Sequence, residues 1–115
     1  MSHHIRLLST SRLRLYPLLM TVAGVAFFIA AGITWLCPYA PRVHDEFSYL
    51  LAADTLLHGR LANPTPEVWQ PFQSFHVILE PAYASKYPLG PGAIIAVGWL
   101  LLGTPIAGSW LAAGL

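Results

Sequence analysis

Two long apolar stretches alternate with polar segments along the chain. The first, from Leu18 to Leu36, runs 19 residues without a charge, which is close to the roughly 20 residues that cross the hydrocarbon core of a bilayer. Tyr16 lies at one end of it and Trp35 with Tyr39 at the other, where aromatic residues anchor a span to the membrane interface. The pattern therefore predicts a transmembrane helix over residues 17–37.

A cleaved signal peptide is the alternative explanation, because a basic start before an apolar run is also its signature. The apolar run is longer than a typical signal-peptide core, and no small-x-small cleavage site precedes Pro38, so a retained span is favoured. Arg6, Arg12 and Arg14 precede the span without any acid. The positive-inside rule then places residues 1–16 in the cytoplasm.

A second charge-free stretch, Leu89 to Leu115, follows an extracytoplasmic loop over residues 38–87. The sequence Gly103-Thr104-Pro105 interrupts it, because proline removes a backbone donor and disfavours helix at the preceding residue. We predict a second span over residues 88–103 and the start of a third over 104–115, which is too short to cross a bilayer. The chain is thus expected to be the N-terminal part of a larger membrane protein.

The composition agrees with a membrane protein. Hydrophobic residues make up 56% and charged residues 10% of the chain, whereas soluble domains are about one quarter charged. The expected fold class is an all-α membrane protein with two transmembrane helices, a partial third and interfacial helices in the first outer loop. The net charge of +1 argues neither for nor against a nucleic-acid partner, but no Lys/Arg run looks like a binding face for one. Membrane lipid, and no nucleic acid, is therefore the expected partner. A single cysteine, Cys37, excludes an internal disulfide.

The loop begins with a predicted helix from Asp45 to His58, which Gly59 ends. Asp45 and Glu46 fall in its first turn, where the helix dipole favours negative charge. This is a sufficient structural explanation for both acids. However, two carboxylates next to a membrane surface can also bind a metal ion, or act as a general base when one raises the pKa of the other.

One side of this helix combines apolar and ionisable residues. At 100° per residue, Asp54 falls in the middle of that side, with His58 one turn later. An acid on an apolar stripe costs stability unless it is paired. Two interpretations of these residues remain open: a structural Asp54–His58 hydrogen bond, and a site that faces a cavity. The apolar residues on this side are Phe47, Leu50, Leu51 and Leu57.

The second half of the loop contains a predicted short helix with Thr65 as N-cap and Pro66 at its first position. An aromatic-rich segment with few charges follows, and it is expected either to lie along the membrane interface or to pack against other parts of the protein. Its apolar residues are Trp69, Phe72, Phe75 and Val77.

Three further polar residues precede the second apolar stretch. His76 and Glu80 are four residues apart, which is a weak metal-binding spacing without a second pair. Lys86 is the last charge of the loop. It is expected either to place its ammonium group at the interface or to bind an anionic head group such as a lipid phosphate.

Two of these segments resemble motifs of the GT-C superfamily of glycosyltransferases, in the bacterial branch related to protein mannosyltransferases and the lipid A aminoarabinose transferase. The stretch from Asp45 to Ala53 is similar to the D-E-x-x-Y-x-x-x-A helix that follows the first span in that family. The stretch from Ser85 to Gly90 is similar to the K-P-P or K-Y-P-P segment that opens the second span. The resemblance covers most of this chain but only the first part of an architecture of roughly a dozen spans.

The resemblance implies a role for each matched residue. Asp45 would be the base that deprotonates the acceptor, or would help to place a divalent metal (Mg or Mn), with Glu46 beside it. Lys86 would contact the phosphate of a polyprenyl-phosphate sugar donor, although Tyr-Pro-Leu follows it here in place of Pro-Pro. Tyr49 and Tyr87, which belong to the same motifs, are candidate substrate-binding residues.

Asp54 and His58 complete the set of candidate substrate-binding residues, on the strength of their place on the apolar side of the loop helix. The main functional hypothesis is the N-terminal part of a glycosyltransferase in the inner membrane of a bacterium, with its loop in the periplasm. The alternatives are a small non-catalytic membrane protein, such as an assembly subunit, and the secreted product of a cleaved signal peptide. The charge-free C-terminal stretch argues against the last.

Overall fold

The computed structural model describes residues 2–38 and 40–115, with side chains from residue 15 onward. The predicted interface anchor Tyr39 and the side chains of the three N-terminal arginines lie outside this description. The described residues form four helices, which together contain 61% of the chain. These are α1 (Ser2–Leu36), α2 (His44–Leu57), α3 (Leu89–Leu102) and α4 (Ala107–Gly114).

The mostly helical fold is as predicted, but the outer loop also contains an antiparallel hairpin that an all-α class omits. Its strands are β1 (Val77–Ile78) and β2 (Ala84–Ser85), and Val77 lies opposite Ser85. Such short strands have too few positions to display the period-two alternation by which a sequence reveals a strand.

Helix α1 contains a segment long and apolar enough to cross a membrane, Leu15–Leu36. Its 22 residues have a mean hydropathy of 2.0, and none of the segment is buried inside the protein. At a rise of 1.5 Å per residue it is about 33 Å long, which matches a hydrocarbon core of about 30 Å. A signal sequence has the same properties. The helix already begins at Ser2.

The second apolar stretch forms a bent pair of helices. Helix α3 has 14 residues and is therefore about 21 Å long, short of a bilayer core. It ends at Gly103, whose φ of +73° suits glycine, and α4 continues at an angle of 113°. The predicted break over residues 103–105 is confirmed. One helix of spanning length is present in the described part of the chain, and the two further spans stay predictions.

The three apolar helices pack through glycine and a single hydrogen bond. A Cβ atom added to Gly98 would lie 2.2 Å from the backbone nitrogen of Gly108, so α3 and α4 meet backbone to backbone. Helix α4 then runs back along α1. The Trp110 Nε1 donates to the Thr34 hydroxyl at 2.9 Å, and the Trp110 ring meets that of Phe27 edge-on at 6.1 Å.

The side of α2 that packs against the protein consists of small residues, and not of the large apolar residues that the sequence places together on one side. Ser48, Ala52, Ala53 and Thr55 are buried, whereas Phe47 is 54% exposed. A Cβ atom at Gly92 of α3 would lie 2.7 Å from the Cβ of Ala52, so the two helices are too close for larger side chains. In membrane proteins small residues commonly form helix contacts. The remaining members of the predicted side, Leu50, Leu51 and Leu57, are half-buried.

The predicted helix at Thr65 is wrong. This segment instead pairs across the loop: Asn63 and Tyr83 exchange backbone hydrogen bonds at 2.9 and 2.8 Å, and the Thr65 hydroxyl donates to the Leu79 carbonyl. These long-range bonds satisfy the polar groups that a helix start would have used. A single turn of 3₁₀ helix follows at Gln70–Phe72, and Phe75 is 91% exposed.

The backbone contact between α3 and α4 predicts how two glycines of the same helix differ. Gly98→Ala places a methyl group against the backbone of Gly108 and should lower the free energy of unfolding by about 1–3 kcal/mol, as overpacking does. Gly90→Ala is the matched control, because no atom lies within 4 Å of its added Cβ. Thermal unfolding in detergent micelles measures both, and equal stability of the two variants would contradict the packing described.

Candidate functional site

Glu46 stabilises the start of α2. Its Oε2 accepts hydrogen bonds from the backbone N–H groups of Arg42 at 2.7 Å and Val43 at 3.2 Å. An acid in the third position of a helix commonly satisfies the free donors before the first turn in this way. The structural explanation of Glu46 is thereby confirmed, while its catalytic and metal-binding roles stay predictions.

Asp45 lies in the same first turn and is half-buried. Its Oδ1 accepts a hydrogen bond from the backbone N–H of Glu46 at 3.1 Å. Tyr49 is one helical turn further along, so the two side chains are neighbours on the surface of α2.

The ring of Tyr87 contacts those of Tyr49 and His76. The centroids of Tyr49 and Tyr87 are 4.6 Å apart with an interplanar angle of 25°, and those of His76 and Tyr87 are 5.6 Å apart at 15°. The Tyr87 hydroxyl lies 2.6 Å from the His76 Nδ1. Two of the predicted site residues, Tyr49 and Tyr87, are thus in contact.

A line of hydroxyl groups fixes this hairpin to α2. The wholly buried Ser48 hydroxyl donates to the carbonyl of His76 at 2.5 Å. Because its one proton is used there, the Ser85 hydroxyl donates to Ser48, at 2.8 Å, and itself accepts from the backbone N–H of Tyr87 at 3.1 Å. The backbone N–H of Lys86 donates to the same His76 carbonyl at 3.1 Å.

Partial burial raises the pKa of Tyr87 above its ordinary value of 10.0, and the negative charge of Asp45 and the neighbouring Tyr49 raise it further. Tyr87 therefore keeps its proton at neutral pH and can donate it to the His76 Nδ1.

Lys86 is exposed, whereas its neighbours Ser85 and Tyr87 bind or contact α2. The structure therefore brings Tyr87, and not Lys86, into contact with the acidic end of α2. The phosphate-binding role of Lys86 stays a prediction.

Asp54 and His58 form a structural pair, which is one of the two interpretations that the sequence left open. The His58 Nδ1 lies 3.5 Å from the Asp54 Oδ1 and 2.8 Å from the Asp54 carbonyl oxygen, and both side chains are about half exposed. At 1.5 Å per residue, Asp54 lies about 13 Å along α2 from Asp45. This pair is therefore separate from the cluster at the start of the helix.

Metal-ligating side chains do not gather within the described residues, since no group of three His, Cys, Asp or Glu residues is placed to hold a metal ion. His76 lies four residues before Glu80 in the sequence, but its Nδ1 is hydrogen-bonded to the Tyr87 hydroxyl. A divalent metal at Asp45 and Glu46 stays a prediction.

A cavity of about 430 Å³ opens beside the acidic turn. It lies between the end of α1, the first two turns of α2 and the turn that joins α3 to α4. Glu46 and Tyr49 border it, so the cluster and the cavity share a wall. The other lining residues are Thr34, Pro41, Leu50, Ile95, Thr104, Pro105, Ile106 and Ser109.

Comparison of the chain with protein-family models, with curated proteins and with solved structures finds no match. The candidate site is therefore defined by its own geometry.

His76 is the site residue that the sequence reading did not assign. Its partners, Ser48 and Tyr87, are 28 and 11 residues away, so no local spacing reveals the contact. Only the register of the hairpin, in which Val77 faces Ser85, brings His76 opposite Lys86 and next to Tyr87.

The negative charge of Asp45 contributes to the raised pKa of Tyr87. Asp45→Asn removes a negative charge and should lower the pKa of Tyr87 towards 10.0. Absorbance titration of tyrosinate in micelles, with Tyr87→Phe as the subtracted reference, measures this. Asp54→Asn, an equal change further along α2, should leave the pKa of Tyr87 where it is; an equal shift in both variants would contradict the arrangement.

The same raised pKa predicts a loss of stability in alkali. Because the folded-state pKa of Tyr87 lies above the unfolded value of 10.0, its contribution is fully present below pH 10 and is lost as pH rises through the folded-state pKa. The free energy of unfolding, measured across this pH range, should decline more steeply for the wild type than for Tyr87→Phe. Parallel curves for the two proteins would contradict the raised pKa of Tyr87.

Proposed function

We propose that the chain provides the first membrane span and first outer loop of a GT-C-type glycosyltransferase, which transfers a sugar from a polyprenyl-phosphate donor to an extracytoplasmic acceptor. The observation that carries the proposal is the placement of the acidic turn. Asp45 and Glu46 stand nine and ten residues beyond Leu36, the end of the spanning segment, and Glu46 borders a cavity of about 430 Å³.

The chemistry of glycosyl transfer suits these groups. An acceptor hydroxyl must lose a proton as it attacks the anomeric carbon, and a carboxylate such as Asp45 can take it. The departing phosphate gains negative charge that a cation can stabilise, and Lys86 is an exposed cation of this loop. In the proposal Asp45 is the base, and Lys86 binds the phosphate once other parts of the enzyme close over the loop.

A lipid-linked donor also needs a place for its chain. An apolar groove of about 590 Å³ runs between α1, α3 and α4 beside the spanning segment. Its walls include Met20, Phe27, Val97 and Leu111. Apolar side chains of this kind can pack against an isoprenoid chain without burying a polar group.

Two carboxylates, those of Asp45 and Glu46, do not by themselves supply the octahedral coordination that Mg²⁺ requires, and one oxygen of Glu46 already accepts two backbone hydrogen bonds. Phosphate and water oxygens would have to complete the coordination. No step of the proposed reaction depends on such a metal.

A non-catalytic membrane subunit is the second candidate. The observation in its favour is α1, whose spanning segment has no buried part within the chain. Such a surface fits either lipid or the helices of a partner.

Transfer of a labelled sugar from a lipid-linked donor, measured in membranes that contain the whole enzyme of which this chain provides the first part, distinguishes the two candidates; this chain alone is expected to be inactive. Asp45→Asn should reduce the rate by about 10²–10⁴-fold, the usual contribution of a general base. Glu67→Gln, which neutralises an exposed acid of the same loop, should leave the rate unchanged. Full activity of Asp45→Asn would remove Asp45 from the mechanism, and a wild-type protein without transfer would favour the subunit.

A further inference from the structure

The geometry points to His76 and Tyr87 as a positioning pair for the proposed reaction. Their hydrogen bond holds the Tyr87 ring flat against Tyr49 and so shapes the surface beside Asp45 where the acceptor hydroxyl must sit. This inference rests on the proposed function, and it assigns to His76 a role that the motif resemblance does not imply. Neither residue is a proton acceptor for the substrate; both act through the surroundings of Asp45.

Tyr87 is restrained at both ends. Its backbone N–H donates to the Ser85 hydroxyl at 3.1 Å, and its phenol hydroxyl lies 2.6 Å from the His76 Nδ1. The stack on Tyr49, at 4.6 Å, fixes the plane of the ring. A tyrosine has only two side-chain rotations, and these contacts leave neither of them free.

His76 is restrained through its backbone. Its carbonyl accepts hydrogen bonds from the buried Ser48 hydroxyl and from the backbone N–H of Lys86. The imidazole therefore stands at a set distance from α2. Because its Nδ1 accepts the proton of Tyr87, the neutral ring carries its own proton on Nε2.

The same network reaches Asp45 from the other side. Tyr49 lies one turn after Asp45 on α2, and it contacts Tyr87 with one part of its ring while lining the cavity beside Glu46. A shift of the Tyr87 ring would therefore change the wall next to the carboxylate. Proton transfer is sensitive to such shifts, since a misplacement of about 1 Å can cost a reaction roughly 10²-fold.

A spectroscopic experiment tests the pair without any assay of activity. The ¹⁵N signals of the imidazole rings are recorded for the protein in micelles, and those of His76 are assigned by their loss in His76→Asn. They should report a single Nε2–H tautomer. Tyr87→Phe keeps the ring stack but removes the hydroxyl, so a mixture of tautomers should appear. An unchanged His76 signal in Tyr87→Phe would overturn the inference.

Steady-state transfer kinetics test the positioning role. Tyr87→Phe and His76→Ala should each lower kcat roughly tenfold, with little change in the KM of the donor, because the loss affects the alignment of the reacting groups. His76→Asn should recover most of kcat, since its amide oxygen can accept the Tyr87 proton near the position of Nδ1. Tyr83→Phe is the matched control, because Tyr83 pairs with Asn63 through backbone hydrogen bonds that the substitution keeps. The kcat of this variant should equal that of the wild type.

The outcomes separate the two proposals. An active wild type with unchanged kcat in Tyr87→Phe would overturn the positioning role alone. A wild type without transfer would overturn the proposed function, and with it the catalytic role of the pair. A fall of kcat in His76→Ala that His76→Asn does not recover would also count against positioning, and thermal unfolding of each variant shows that its fold is retained.

Discussion

The buried hydroxyl of Ser48 connects the first outer helix to the hairpin that follows it, and the arrangement of the candidate site depends on this connection. Ser48 donates to the carbonyl of His76 and accepts from Ser85, which in turn accepts from the backbone of Tyr87. Each of these hydrogen bonds contributes about 0.5–1.5 kcal/mol to stability. The line of hydrogen bonds thus sets where the Tyr87 ring meets Tyr49.

Small residues make the second connection, between the outer helix and the apolar helices. The contact of Gly92 with Ala52 brings α3 against α2, and that of Gly98 with Gly108 brings α4 against α3. The turn at Thr104 and Pro105 consequently reaches the start of α2 and closes one side of the cavity beside Glu46. Three segments that are distant in sequence therefore form a single pocket.

The local features of the fold could be predicted from the sequence. Charge-free length identified the apolar segment of α1, and glycine with proline identified the break after α3. The spacing of Asp54 and His58 predicted their pair, since residues four apart on a helix are neighbours. The start of α2 near Asp45 followed from the same local rules.

The remaining features depend on contacts between distant residues, which no local pattern encodes. The apolar residues of α2 do not reveal its packing side: Phe47 is exposed, whereas the close approach of α3 admits only residues as small as Ser48 and Ala52. Thr65 resembles an N-cap by type but bonds to Leu79 across the loop. His76 joined the site only through the register of the hairpin.

The account requires that the acidic turn of α2 faces the outer side of the membrane, and Cys37 offers the most direct test. It is the sole cysteine of the chain, is exposed, and follows α1 immediately. A membrane-impermeant thiol reagent should label Cys37 in intact spheroplasts as completely as in permeabilised ones. Labelling that appears only after permeabilisation would place the loop, Asp45 and the cavity in the cytoplasm and contradict the account.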